Sequence, residues 1–272
     1  FPLTNTSHRR HSVFGFLPLD GELSPERRTS WVTYDRETTT PYYYSAYLGD
    51  TDCFLEFSPA KKSGIFRVTF SGNQNHYLRL SVLNGNGEIR LHGERQISGE
   101  EFFDGMKAYF YAEINTAVVD SFNKDAANKQ TLILSTGNGE QTVLFRYGIS
   151  YISISQAQQN LQMEIPNDNF DAVKASAKKK WEEALSLIRV KGGTEAQKKV
   201  FYTAFYRCYE RMVDINENGK YYSAYDRKVH DSEKPFYVDN WIWDTYIALE
   251  PLHTILRPDV ENDKIRSYIE MY

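Results

Sequence analysis

The 272-residue sequence has only two cysteines, Cys53 and Cys208. That is too few, at too wide a spacing, for a disulfide framework or a zinc site, so both read as buried thiols. No apolar run approaches the ~20 residues needed to span a bilayer. Lys and Arg number 32 against 36 Asp and Glu, for a formal charge of −4 and a pI near 5.9. No basic stripe interleaved with aromatics tracks a phosphate backbone, so nucleic acid is excluded as a partner. The longest basic run, Lys178–Lys180, falls on the solvated face of an expected helix. A Gly-rich phosphate loop, a GxSxG elbow and an HExxH pair are all absent. The opening FPLTNTSHRRHS has no charged segment followed by an apolar one, so no signal peptide is expected in this sequence. The protein is then cytosolic, or its leader has been removed. Asn5-Thr6-Ser7 fits the glycosylation acceptor pattern, which matters only in a eukaryotic secretory setting.

Aromatic residues, by contrast, are plentiful: 20 Tyr, 16 Phe and 4 Trp. Such surface either fills cores or meets ring-shaped ligands. With 41% hydrophobic and 25% charged residues the composition is that of a globular chain, and the length predicts more than one core.

The hydrophobic period changes once along the chain. Seven short runs are rich in β-branched and aromatic residues, several with period-2 alternation: Tyr42–Leu48, Ile65–Phe70, Tyr77–Leu83, Ala108–Ile114, Thr131–Ser135, Thr142–Tyr147 and Tyr151–Ser155. Asn-Gly turns at Asn84–Glu88 and Gly137–Glu140 supply the positive φ of tight hairpins. Seven strands with no helix among them predict an antiparallel β-sandwich over 1–165.

After Pro166 the period becomes helical. Phe170, Val173, Ala177, Trp181, Ala184 and Ile188 form one stripe, with Asp168 as the expected N-cap, and this linker helix occupies 166–192. Gly192-Gly193 breaks it. Thr194 and Gln197 then make a capping box for a second helix, which turns Phe201, Ala204, Phe205 and Cys208 inward. A hairpin-like loop, GKYYSAYDRKVH, follows. Trp241–Leu249 reads as a third helix stopped near Pro251, and Pro258 opens a fourth running to Tyr272. Its stripe of Ile265, Tyr268, Ile269 and Tyr272 has no partner, which is expected where a helical array continues. The fold class is therefore multidomain, β then α, with 193–272 as the first helices of an (α/α)6 toroid.

The stretch YVDNWIWDTY, Tyr237–Tyr246, is half aromatic and carries one unexplained acid, Asp244. KVFYTAFYR (Lys199–Arg207), GKYYSAYDRKVH (Gly219–His230) and YVDNWIWDTYIALEPLHTILRPD (Tyr237–Asp259) follow one another in the order and spacing of the exo-acting α-mannosidases of glycoside hydrolase family 92. PLDGEL at Pro18–Leu23 and the run Thr38–Phe70 are similar to that family's N-terminal sandwich. The resemblance implies calcium-dependent, inverting hydrolysis of terminal α-mannosides, and a mannose-containing glycan as partner. Inversion requires an acid and a base roughly 6.5–9.5 Å apart. The resemblance places both in motifs downstream of WDTY that these residues lack, and the calcium ligands mainly there too. No catalytic or metal residue is therefore assigned, and the isolated chain is expected to be inactive. Localisation in the periplasm, on the cell surface or outside the cell follows only from the family's glycan-foraging role.

What the resemblance does carry over is Asp244, with Trp243, as substrate-binding residues. A carboxylate accepts two sugar hydroxyls while an aromatic face covers the C–H patch. The competing role for Asp244 is an acid favoured by a helix dipole. Trp241 and Trp243, two apart on one helix start, cannot share a face, so one is expected in the core and the other at the site. Asp226 reads as a solvated loop acid and Glu182-Glu183 as solvated surface. His230 and His253 have no carboxylate or Cys/His partner at metal spacing. Two other readings stay open: a non-catalytic carbohydrate-binding sandwich with a helical extension, and another α/α-toroid carbohydrate enzyme.

Overall fold

The computed structural model describes residues 12–24, 32–103, 105–125 and 128–271. The Asn5-Thr6-Ser7 pattern and Tyr272 lie outside the described residues. The chain forms two compact units that divide at Lys178/Lys179.

The first unit is a sandwich of two antiparallel sheets. Its four-stranded sheet runs β1 (Phe14–Asp20), β6 (Asn75–Val82), β11 (Asn128–Asn138), β10 (Asp120–Asp125). The eight-stranded sheet begins with β2 (Asp35–Thr40), β3 (Tyr43–Leu48), β4 (Cys53–Pro59) and β5 (Ser63–Phe70). It continues through β12 (Gln141–Ser150), β9 (Met106–Ile114), β8 (Gln96–Phe103) and β7 (Gly87–His92). Leu78, Leu80, Leu132 and Leu134 from the smaller sheet meet Val68, Phe70, Ile97, Phe110, Val143 and Phe145 from the larger one in the main core.

Neither Asn-Gly turn is a hairpin. The first joins β6 to β7 and the second joins β11 to β12, so each carries the chain from one sheet to the other. Gly85, Gly137 and Gly139 do take positive φ, as expected. The first crossover is pinned by Glu101, a buried carboxylate that accepts from the backbone N–H of Asn84 at 2.7 Å and from its side-chain amide at 3.1 Å.

A helix stands where YISIS was expected to form a seventh strand. β12 ends at Ser150, whose Oγ accepts from Ile152 N at 2.8 Å, and Ser153 then caps α1 (Ile154–Glu164) by accepting from Gln156 N at 3.0 Å. Local serine hydroxyls outweigh the β propensity of two isoleucines. The helix lies on the outer face of the large sheet, where Ala157, Leu161 and Ile165 pack on Ile65 and Tyr111. It comes so close that a Cβ on Gly148 would collide with the Ala157 carbonyl.

The linker helix, α2 (Phe170–Leu185), is capped by Asn169, which accepts from Ala172 N at 3.0 Å. Asp168, the expected cap, pairs instead with Arg146 at 2.9 Å. Phe170 is buried in the first unit, while Trp181 packs in the second against Tyr206 and Tyr209, with ring centroids at 4.9 and 5.9 Å.

In the second unit α3 (Glu195–Arg207) begins with the expected Thr194/Gln197 capping box. Phe205 is buried, but Ala204 is exposed and Cys208 only half-buried, so the inward stripe is narrower than its spacing suggests. β13 (Val213–Asp214) pairs with β16 (Tyr237–Val238), and between them β14 (Lys220–Ser223) and β15 (Lys228–Asp231) form the expected hairpin. The single helix read from Trp241 is two: α4 (Ile242–Thr245) and α5 (Leu249–Leu256). Pro251 does not stop it. It sits in the first turn of α5, where its missing N–H would have no intrahelical partner anyway. α6 (Pro258–Met271) starts where expected, yet it buries Glu261, Lys264 and Ser267 and leaves Ile265 and Ile269 exposed.

Candidate functional site

The backbone of α4 sets up the site. Asp244 N and Thr245 N both donate to the Trp241 carbonyl, at 2.8 and 3.1 Å, so a single turn presents Trp241, Asp244 and Thr245. These three line a groove of about 300 Å³ with Leu249, with Arg207 at the end of α3, and with Glu210 and Arg211 just beyond it. Arg211 lies over the Trp241 ring at 4.0 Å, and Arg207 pairs with Glu210 at 3.1 Å. Carboxylates and guanidinia beside an indole are the side chains that bind paired hydroxyls and an apolar ring face.

Of the two residues expected at the site, Asp244 lines this groove and Trp243 does not. Trp243 is 86% exposed, whereas Trp241, 41% exposed, forms the wall. Neither tryptophan is core. Arg207, Glu210 and Arg211 were not singled out by sequence reasoning. The spacing of Arg207 and Arg211 was the available signal, but the helix ends between them.

A larger groove of about 600 Å³ lies in the first unit, around Arg67, Thr142 and residues 167–171. Its polar groups are engaged with one another. Arg67 bonds Glu56 at 2.8 Å and Asp171 at 3.2 Å, and Asn169 caps α2. The smaller groove, which holds Asp244, is the candidate.

A buried ionic cluster lies in the same unit. Among the described residues, Glu250 and His253 of α5 and Glu261 of α6 bring ligand-type atoms within 4.8 Å of one another. His253 thus has the carboxylate partners that sequence spacing did not reveal. Lys264, 2% exposed, donates to Glu250 at 3.2 Å, His253 Nδ1 at 2.8 Å and Glu261 at 3.0 Å. Burial and the Lys264 charge push His253 down to about 4, so its imidazole is neutral and accepts. Burial and a hydrogen bond with Glu250 raise Glu261. Burial alone would raise Glu250 too, but the bonds from Glu261, Thr245 and Lys264 and the Lys264 charge bring it below its ordinary value. Calcium takes six to eight oxygens. Two carboxylates and an imidazole around an ammonium do not fit it.

On the β14–β15 hairpin, Asp226 and His230 are bonded at 2.9 Å, and that bond is the main cause holding Asp226 below the usual carboxylate range. His230 stacks on Tyr221, with centroids at 5.3 Å. Both are partly or largely exposed, and Glu182 and Glu183 are solvated as expected.

The comparisons with known proteins agree with this layout. The N-terminal domain of glycosyl hydrolase family 92 matches residues 1–151, and that family's catalytic domain matches residues 156–272. A family GH92 inverting mannosidase from Bacteroides thetaiotaomicron aligns over 95% of this chain and 38% of its own, at 27% identity and a TM-score of 0.86. A second GH92 α-mannosidase of that organism, at 20% identity, shares the fold over 94% of this chain and 40% of its own with a TM-score of 0.83. An uncharacterized secreted glycosidase of Arthroderma benhamiae is 36% identical over 77 residues, 27% of this chain and 10% of that protein. The chain thus spans about two fifths of the solved mannosidases it matches. With a sheet-rich N-terminal part followed by helices, and with both of the family's domains matched across nearly the whole sequence, the chain belongs to glycosyl hydrolase family 92.

Proposed function

We propose that the chain is the N-terminal part of a glycoside hydrolase that removes terminal α-linked mannose from glycans with inversion. Its domains are then the sandwich (1–165), the linker helix (166–192) and the opening of the helical catalytic domain (193–272). The observation that carries the reading is the groove in which Asp244, Trp241, Arg207 and Arg211 converge, in a chain matching both domains of the family. Supporting it, a structural neighbour is an inverting mannosidase, and another has been solved with mannoimidazole.

In this reading Asp244 accepts hydroxyl hydrogen bonds from the terminal sugar, and the arginines fix its remaining oxygens. Asp244 is a holder of substrate. On this reading the proton-transferring carboxylates, and mainly the calcium ligands too, belong to motifs that these 272 residues lack, where calcium would supply positive charge. Secretion is consistent with the relative named a secreted glycosidase.

The test is hydrolysis of α-1,2-mannobiose with calcium, by the 272-residue chain and by the longer protein that contains it. Activity is expected only in the longer protein. Hydrolysis by the 272-residue chain alone would overturn the assignment of acid and base.

A further inference from the structure

Two helical i,i+3 pairs build the buried cluster: Glu250 with His253 on α5, and Glu261 with Lys264 on α6. Residues three apart share a helix face, so two short helices bring four ionisable side chains to one point. Two carboxylates and a neutral imidazole are the donor set of a divalent transition-metal ion. The position at their centre is taken by the Lys264 ammonium, whose three N–H groups meet three acceptors at 2.8–3.2 Å. A buried ammonium is unfavourable by several kcal/mol unless it is paired and hydrogen-bonded, so this arrangement is one built to hold a cation.

The cluster also touches the groove. Glu250 directly follows Leu249, which lines the groove together with Thr245 and Asp244. His253 packs near Tyr209, the neighbour of groove residue Glu210, with ring centroids at 6.0 Å. We infer that Lys264 is a covalently attached substitute for a divalent metal ion, and a positioning residue that holds α5 and α6 together and thereby sets the groove wall carrying Asp244. The cluster is accordingly not the calcium site that the family resemblance implies. Only the sugar readout below rests on the proposed function.

The experiment compares the wild-type chain with Lys264→Ala and Lys264→Met, using Co²⁺ and Zn²⁺ as probes. Wild type is expected to give no ligand-field absorption with Co²⁺ and the same thermal midpoint with Zn²⁺ or EDTA. Lys264→Ala is expected to bind one Co²⁺ with intense visible absorption, to lose that absorption when His253→Ala is added, and to regain with Zn²⁺ the thermal midpoint it loses without metal. Lys264→Met fills the space without charge and is expected to take no metal and show no rescue. A merely space-filling role for Lys264 predicts the reverse order, with Met restoring stability and Zn²⁺ doing nothing. The inference is overturned if folded Lys264→Ala takes up no Co²⁺, if wild type binds Co²⁺ through His253, or if Lys264→Ala stays unfolded with either metal. Mannose affinity, measured by calorimetry, should fall at least tenfold in Lys264→Ala and recover with Zn²⁺; an unchanged affinity refutes the positioning role. A wild-type chain that binds no mannose refutes the sugar reading, and the Co²⁺ result still decides the identity of the cation.

Discussion

Lowering pH should unlock the helical unit before the sandwich, and His253 sets the size of the effect. Its imidazole is buried and accepts from the Lys264 ammonium, so protonation would place two cations in contact; its folded pKa lies near 4 against an ordinary 6.5. The depressed value fixes the sign: above pH 6.5 neither state binds the proton, while below it the unfolded chain takes up a proton that the folded state refuses. Stability is complete above pH 6.5 and falls as pH drops toward 4. Linkage gives a loss of about 1 kcal/mol by pH 5.5 and about 2–3 kcal/mol by pH 4.5. The assay is urea unfolding followed by tryptophan fluorescence, since Trp181, Trp241 and Trp243, three of the four tryptophans, lie in the second unit. His253→Gln keeps an acceptor for Lys264 but does not titrate, so the wild-type loss relative to it should follow that curve. Parallel pH curves for the two proteins, or a loss confined to pH below 4, would refute the reasoning.

Three further outcomes follow from particular contacts. Leu161→Ala removes a fully buried side chain from beneath α1 and should cost about 2–5 kcal/mol, read as a lower urea midpoint by circular dichroism. Thr194→Ala removes the capping box of α3 and should cost ~1 kcal/mol, whereas Thr194→Ser should be nearly silent in the same titration. Trp241→Ala should weaken mannose binding measured by calorimetry at least tenfold, while Trp243→Ala, outside the groove, should change it less than twofold in the same experiment.

The order of strands then helices was legible because period 2 and period 3.6 leave different marks, and residues such as Thr194 and Gln197 announce a helix start in four letters. The Ser153/Gln156 pair carried the same signal for α1, but it was masked by the β-branched residues around it. The Asn-Gly turns were read correctly as positive-φ sites and wrongly as hairpins, because φ at a turn does not say which sheet the next strand joins. In the site, Asp244 stood out by its aromatic neighbours. The family resemblance points to Trp243 for the site and Trp241 lines the groove instead, since which one faces it depends on the one-turn length of α4. The Lys264 cluster was invisible for a stronger reason. Polar residues on a helix are normally its wet face, and only the packing of α5 on α6 turns Glu261 and Lys264 inward, leaving Ile265 and Ile269 exposed.

The central claim is that the groove beside Asp244 holds a terminal α-mannose for inverting hydrolysis. Its most direct test is proton NMR of the sugar released from α-1,2-mannobiose by the longer protein, with and without Asp244→Asn. The account predicts β-mannose as the first anomer formed, and a loss of at least a hundredfold in kcat/KM on substitution with no change in thermal midpoint. First release of α-mannose, or unaltered turnover by the Asp244→Asn protein, would contradict it.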